Sequence, residues 1–176
     1  MRKFLLVFTF IFGLVSISAQ NNDSSEYLLN KKFPDSITGF QINDINGKKV
    51  SLKDVLEKHK GHKIVIDFWA SWCKQCIKGM PSLQTLQKET DGKKIDYIFI
   101  SLDEISASWK SAIVEMDIRG DHYIMNIGGW ENKNILTKFI KLEDIPRYMI
   151  LDEEGVIIFS KTLKASDPKF REILLK

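Results

Sequence analysis

Val65-Ile66-Asp67-Phe68-Trp69-Ala70-Ser71-Trp72-Cys73-Lys74-Gln75-Cys76 decides how this chain is read. From Lys63 to Trp69 the apolar residues Ile64, Val65, Ile66, Phe68 and Trp69 occupy both parities. That pattern predicts a central parallel strand covered by helices on both faces. Asp67 is the exception, a carboxylate inside a doubly covered strand. Cys73 and Cys76 follow, and they are the only two cysteines in 176 residues. Beyond them, Met80, Leu83 and Leu86 recur at helical spacing. They predict a helix from Cys73 to about Thr90, kinked at Pro81.

A cysteine pair at this place has a chemical rationale. The first lies where unpaired N–H groups and the positive end of the helix dipole favour a thiolate. The second, one turn later, is close enough to close a disulfide. Cys73 is therefore expected to be the exposed nucleophile and Cys76 the more buried resolving thiol. Lys74 adds positive charge beside Cys73. Asp67, buried behind the pair, is expected to have a raised pKa and to take the proton of Cys76. The competing reading of Asp67 is a structural carboxylate satisfied by backbone N–H groups or a lysine.

Two other uses of the cysteines fit less well. As a structural staple the pair would close only a very short loop. As zinc ligands the cysteines would need His59 and His62. Those histidines precede the strand and the cysteines follow it. Seven residues at about 3.3 Å each separate them by roughly 20 Å. His59 and His62 are expected to be solvent-facing loop residues, and His122 a polar loop residue. No metal site and no other cofactor is expected.

Outward from this centre, the N-terminus reads as an export signal. Arg2 and Lys3 precede an apolar run from Phe4 to Val15, and Ser16 to Ala19 supplies small residues for cleavage. The run is short of the roughly 20 residues a spanning helix needs. The expected division is signal peptide 1–19, flexible lead 20–32 and one domain at 33–176, with an uncleaved membrane anchor as the alternative. The formal charge is +3, and acids and lysines are mixed along the chain. Nothing in it points to nucleic acid.

Within the domain, Asn46-Gly47 predicts a hairpin joining strands at 39–44 and 48–50. Ser51 is placed to cap the helix that follows. Ile95 to Leu102 reads as a second buried strand, and 106–117 and 134–139 as helices. The stretch 119–130 is ambiguous, with Gly128-Gly129 favouring a loop. Strands at 148–151 and 156–159 form another hairpin. Asp167 and Pro168 open a last helix. The sum is an α/β sandwich with a mixed sheet.

The motif from Val65 to Cys76 resembles the thioredoxin superfamily, and the layout resembles its exported TlpA/ResA-like disulfide reductases. Pro81 falls where that family kinks its active-site helix. Ile145-Pro146 falls where the family has a cis proline facing the disulfide. The resemblance covers about residues 33–176. It implies a thioredoxin-like sandwich with an N-terminal β extension and a helical insertion, 104–145, before the cis-proline strand.

It also implies a thiol:disulfide oxidoreductase acting on protein or peptide disulfides, supplied by a membrane redox donor in the periplasm. Cys73 resembles the attacking cysteine, Cys76 the resolving one and Asp67 the buried aspartate. Trp72, Ile145 and Pro146 would border the substrate. Four positions depart from the family. Lys74-Gln75 replaces the usual dipeptide inside the pair and is expected to tune the redox potential. Gly79 stands where many relatives have a glutamate. Arg147 follows Pro146 in place of a small threonine, and is read either as a groove residue favouring acidic or carbonyl-rich partners or as a solvent-facing one. Trp130, in the insertion, is read as core or partner-facing. A thiol peroxidase and a redox-marginal binding module are the rival functions.

Overall fold

The computed structural model describes residues 26–125, 128, 134–162 and 164–176. The expected signal peptide, the first part of the expected lead and Trp130 lie outside the described residues. The strands are β1 (Gln41–Asp44), β2 (Lys49–Ser51), β3 (Lys63–Trp69), β4 (Ile95–Ser101), β5 (Asp121–Ile124), β6 (Arg147–Leu151) and β7 (Ile157–Lys161). The helices are α1 (Asp35–Thr38), α2 (Leu52–Lys58), α3 (Lys74–Glu89), α4 (Ser106–Glu115), α5 (Ile135–Phe139) and α6 (Pro168–Leu175).

The strands form one mixed sheet in the order β2-β1-β5-β4-β3-β6-β7. β3 occupies the interior, as its unbroken apolar run predicts. It runs parallel to β4, from Lys63 opposite Ile95 to Trp69 opposite Ser101. On its other side it runs antiparallel to β6, from Ile64 opposite Leu151 to Phe68 opposite Arg147. Every β3 residue after Lys63 is buried. This is the thioredoxin-like sandwich, with helices over the central sheet.

Local chemistry sets the elements as expected in most places. Gly47 turns the β1–β2 hairpin at φ 83°, and the Asp44 carboxylate accepts from the backbone N–H groups of Asn46 and Lys48, both at 2.9 Å. Ser51 opens α2 through a reciprocal cap with Asp54. Asp167 caps α6. Phe170 of α6 packs on Tyr148 and Phe159, with ring centroids 5.1 and 5.4 Å apart. α6 therefore covers the same sheet face that carries the Tyr148 side chain.

The insertion holds α4 and α5, and it also holds a strand. β5 lies between β4, to which it is parallel, and β1, to which it is antiparallel. Gly120 allows the approach: its φ is 137°, and a Cβ there would stand 2.5 Å from the Tyr97 carbonyl oxygen. Trp109 and Tyr123 of the insertion are buried in the core.

Three expectations are corrected. The lead to residue 32 is packed in its second half. Leu28 is fully buried, Asn30 N–H donates to the Ile157 carbonyl at 2.9 Å, and Ile157 N–H donates to Lys31 at 2.8 Å. The outer edge of β7 has backbone groups to satisfy, and this segment satisfies them. His59, expected to face solvent, is 9% exposed. Its Nδ1 lies 2.8 Å from Asp96 and its Nε2 2.9 Å from Asp121. His62 Nδ1 reaches the same Asp96 oxygen at 2.9 Å, and Lys58 pairs with Asp121. Burial works to raise the Asp121 carboxyl, yet Lys58 and His59 hold it below the usual carboxylate range. This cluster ties α2 to the starts of β4 and β5. His122 is also a strand residue, stacked on Phe99 with centroids 5.1 Å apart.

Candidate active site

The chain leaves β3 through Ala70–Trp72 and enters α3 with Cys73 as its N-cap. Cys73 is extended (φ −79°, ψ 98°), and its Sγ accepts the Cys76 N–H at 3.1 Å. A sulfur thus takes the place that a serine or aspartate oxygen usually fills at a helix start. Cys73 and Cys76 form a disulfide, with Cα atoms 5.3 Å apart. Cys73 is 7% exposed and Cys76 is fully buried. The expected order of accessibility holds, although Cys73 is more covered than a free nucleophile would be.

The covering comes from the loop before β6. The Ile145–Pro146 bond is cis, and the Ile145 carbonyl oxygen lies 3.7 Å from Cys73 Sγ. Ile145 and Pro146 are buried. Trp72 is 54% exposed at the mouth of the turn. Lys74 and Gln75 face solvent. The structure therefore brings the Ile145–Pro146 segment, remote in sequence, to Cys73 through the Ile145 carbonyl.

Asp67 is 1% exposed. Neither carboxylate oxygen has a hydrogen-bond partner. The reading of Asp67 as a structurally satisfied carboxylate does not hold. Burial alone pushes its carboxyl well above the usual range. Asp67 pairs directly with Tyr148 across β3 and β6, so the two side chains share one face. An alanine Cβ at Gly79 of α3 would lie 3.4 Å from the Tyr148 hydroxyl. That face is therefore the one α3 covers, and Gly79 lies one turn beyond Cys76.

Arg147 is corrected in both of its readings. It is 4% exposed, and its guanidinium donates to the Ile140 carbonyl at 3.3 Å and to Ser160 Oγ at 3.1 Å. It neither lines an open groove nor faces solvent. Its charge-assisted bonds fasten the end of α5 to β7.

Asp103 was not singled out by the sequence, yet it holds the reactive turn. It is 2% exposed. Ser71 donates to it twice, from N–H at 2.8 Å and from Oγ at 2.6 Å. Ser101 Oγ donates at 2.7 Å, and Asp103 N–H returns a bond at 2.9 Å. The available signal was an aspartate just past a parallel strand, at the end of the sheet where the cysteines lie. Asp103→Ala leaves the Ser71 N–H and the Ser101 hydroxyl without their acceptor. It is expected to lower the unfolding free energy by about 3 kcal/mol in denaturant titrations. A loss below about 0.5 kcal/mol would show that the turn does not depend on this carboxylate.

Residues 61–157 match the family described as thioredoxin-like. The chain is 30% identical over 118 residues to the thioredoxin-like protein YneN of Bacillus subtilis, covering 67% of this chain and 64% of that protein. It is 28% identical over 119 residues to the thiol-disulfide oxidoreductase ResA of Bacillus thuringiensis, covering 68% and 63%. The chain thus spans just under two thirds of these curated relatives. A solved structure described as a candidate thiol-disulfide oxidoreductase, from Bacteroides vulgatus, is 33% identical, with a TM-score of 0.60 and coverage of 77% and 83%. A thiol-disulfide oxidoreductase from Bacteroides fragilis is 25% identical, with a TM-score of 0.64 and coverage of 82% and 100%. With a buried strand feeding a disulfide at the head of a helix, a cis proline against it and this set of relatives, the chain belongs to the thioredoxin-like family.

Proposed function

We propose that this protein is a thiol:disulfide oxidoreductase that reduces protein or peptide disulfides outside the cytoplasm. The carrying observation is the Cys73–Cys76 disulfide across the first turn of α3, with the Cys76 N–H aimed at Cys73 Sγ. That bond stabilises a Cys73 thiolate when the pair is reduced. The thiolate attacks a substrate disulfide, and one substrate sulfur leaves. Cys76 then passes its proton to Asp67 and attacks the Cys73 sulfur of the mixed disulfide. The second substrate sulfur leaves, and the pair ends oxidised by two electrons. Trp72, Ile145 and Pro146 border the incoming peptide, and Lys74 and Gln75 adjust the potential from within the loop.

The export reading rests on residues 1–19, whose composition is that of a signal peptide. A reductase working there needs electrons from a membrane redox donor, which returns the disulfide to the dithiol. Equilibration of the pair against glutathione or dithiothreitol tests the direction. A potential near or below about −270 mV is expected for a reductant, whereas a value near −120 mV would identify an oxidant.

A further inference from the structure

Among the described residues, both Asp67 carboxylate oxygens and the Tyr148 hydroxyl are buried without hydrogen-bond partners, and the two residues lie opposite each other on one face of the sheet. Tyr148 is fully buried, and an orphaned hydroxyl there is destabilising. A phenylalanine would avoid that cost while keeping the ring against Phe170. The hydroxyl is nonetheless present, in line with Asp67 across the sheet and against Gly79 on the Cys76 side of α3. A Cβ at 79 would stand in van der Waals contact with it, at 3.4 Å.

We infer that Tyr148 is a positioning residue for Asp67, its hydroxyl donating to the carboxylate that forms when Asp67 accepts the proton of Cys76. This rests on the exchange mechanism proposed above and adds to it a group specific to the Tyr148–Gly79 arrangement. The titratable or charged groups on this face are Cys76 from α3, Tyr148 from β6, Lys161 opposite Tyr148 on β7, and, beyond Phe99, Tyr97 of β4 and His122 of β5. β4 contributes Phe99 beside Asp67 and α6 contributes Phe170, neither of which titrates.

A donor to the ionised form lowers a carboxyl's pKa, so removing it raises the pKa. Following the Asp67 carboxyl by carbon NMR in the oxidised protein, Tyr148→Phe is expected to move the titration up by about one pH unit, a tenfold change in the ionisation constant. The rising limb of mixed-disulfide resolution should move by the same amount. In an Asp67→Asn background, Tyr148→Phe should leave the resolution profile unchanged. If Tyr148→Phe leaves the Asp67 titration where it was, the inference is overturned, whatever the turnover. If the titration moves while no variant, nor the wild type, exchanges disulfides, the positioning role stands and the proposed activity fails.

Discussion

Cys73→Ser brings disulfide exchange down to the uncatalysed rate, and Cys76→Ser halts it at a covalent adduct. The two outcomes follow from the inequality of the two sulfurs. Cys73 is the one with any exposure and the one that receives the Cys76 N–H. Without it no thiolate meets the substrate. Cys76 is fully buried and reaches only the Cys73 sulfur. Without it the mixed disulfide forms and has no internal route to release.

Neither substitution should unfold the protein. The loop closed by the disulfide is so short that its entropic contribution is about 2 kcal/mol. The adduct is read on a non-reducing gel or by intact mass, and dithiothreitol should reverse it. Were the wild type to turn over a substrate that leaves no adduct on Cys76→Ser, the assignment of roles would be wrong. A module that merely binds its partners would keep its affinity in Cys73→Ser and show no adduct at all.

Asp67→Asn is expected to stabilise the protein while slowing it. Burial raises the folded-state pKa of Asp67 above the ordinary 3.8. Between those two values the unfolded chain has released the proton and the folded chain still holds it. Wild-type stability therefore falls as pH rises through that window. Asparagine does not titrate, so its advantage is absent below about pH 4 and grows with pH. It levels off above the folded-state pKa, at about 1.4 kcal/mol for each unit by which burial raises that pKa. Resolution of the mixed disulfide should slow by about 10²-fold with the loss of the proton acceptor. Urea titrations at pH 4 and pH 8 give the first number, and stopped-flow resolution the second. A stability difference that is constant with pH would mean that Asp67 does not keep its proton in the folded state.

Much of this site was legible because it is local. The both-parity run of β3, the cysteines at the first turn of α3 and the single acid in the strand each carry their meaning within a dozen residues. Ile145-Pro146 was legible only through resemblance, since nothing within the sequence places it against Cys73. What escaped the sequence depends on partners brought from elsewhere. β5 is four residues long and includes a histidine and an aspartate, and pairing with β4 and β1 makes it a strand. His59 appeared solvent-facing because Asp96 and Asp121 reach it only after the sheet assembles. Arg147 was read from its neighbour Pro146, whereas the Ile140 carbonyl and Ser160 settle where its guanidinium goes. Asp103 has the same history, a loop acid until Ser71 and Ser101 converge on it.

The pairing of β5 also bears on modularity. β1 has two neighbours in the sheet, β2 and β5. The hairpin near the N-terminus and the strand within the insertion are thus a single annex, closed by Asp44 opposite Tyr123 and Asn43 opposite Ile124. The span that matches the family, 61–157, includes β5 but omits β1, β2 and α6. Excising it would bare the outer edge of β5 and uncover Tyr148 where Phe170 now shields it. The span that matches the family is therefore not a portable fragment: the pieces that frame it lie on both sides and have to travel with it.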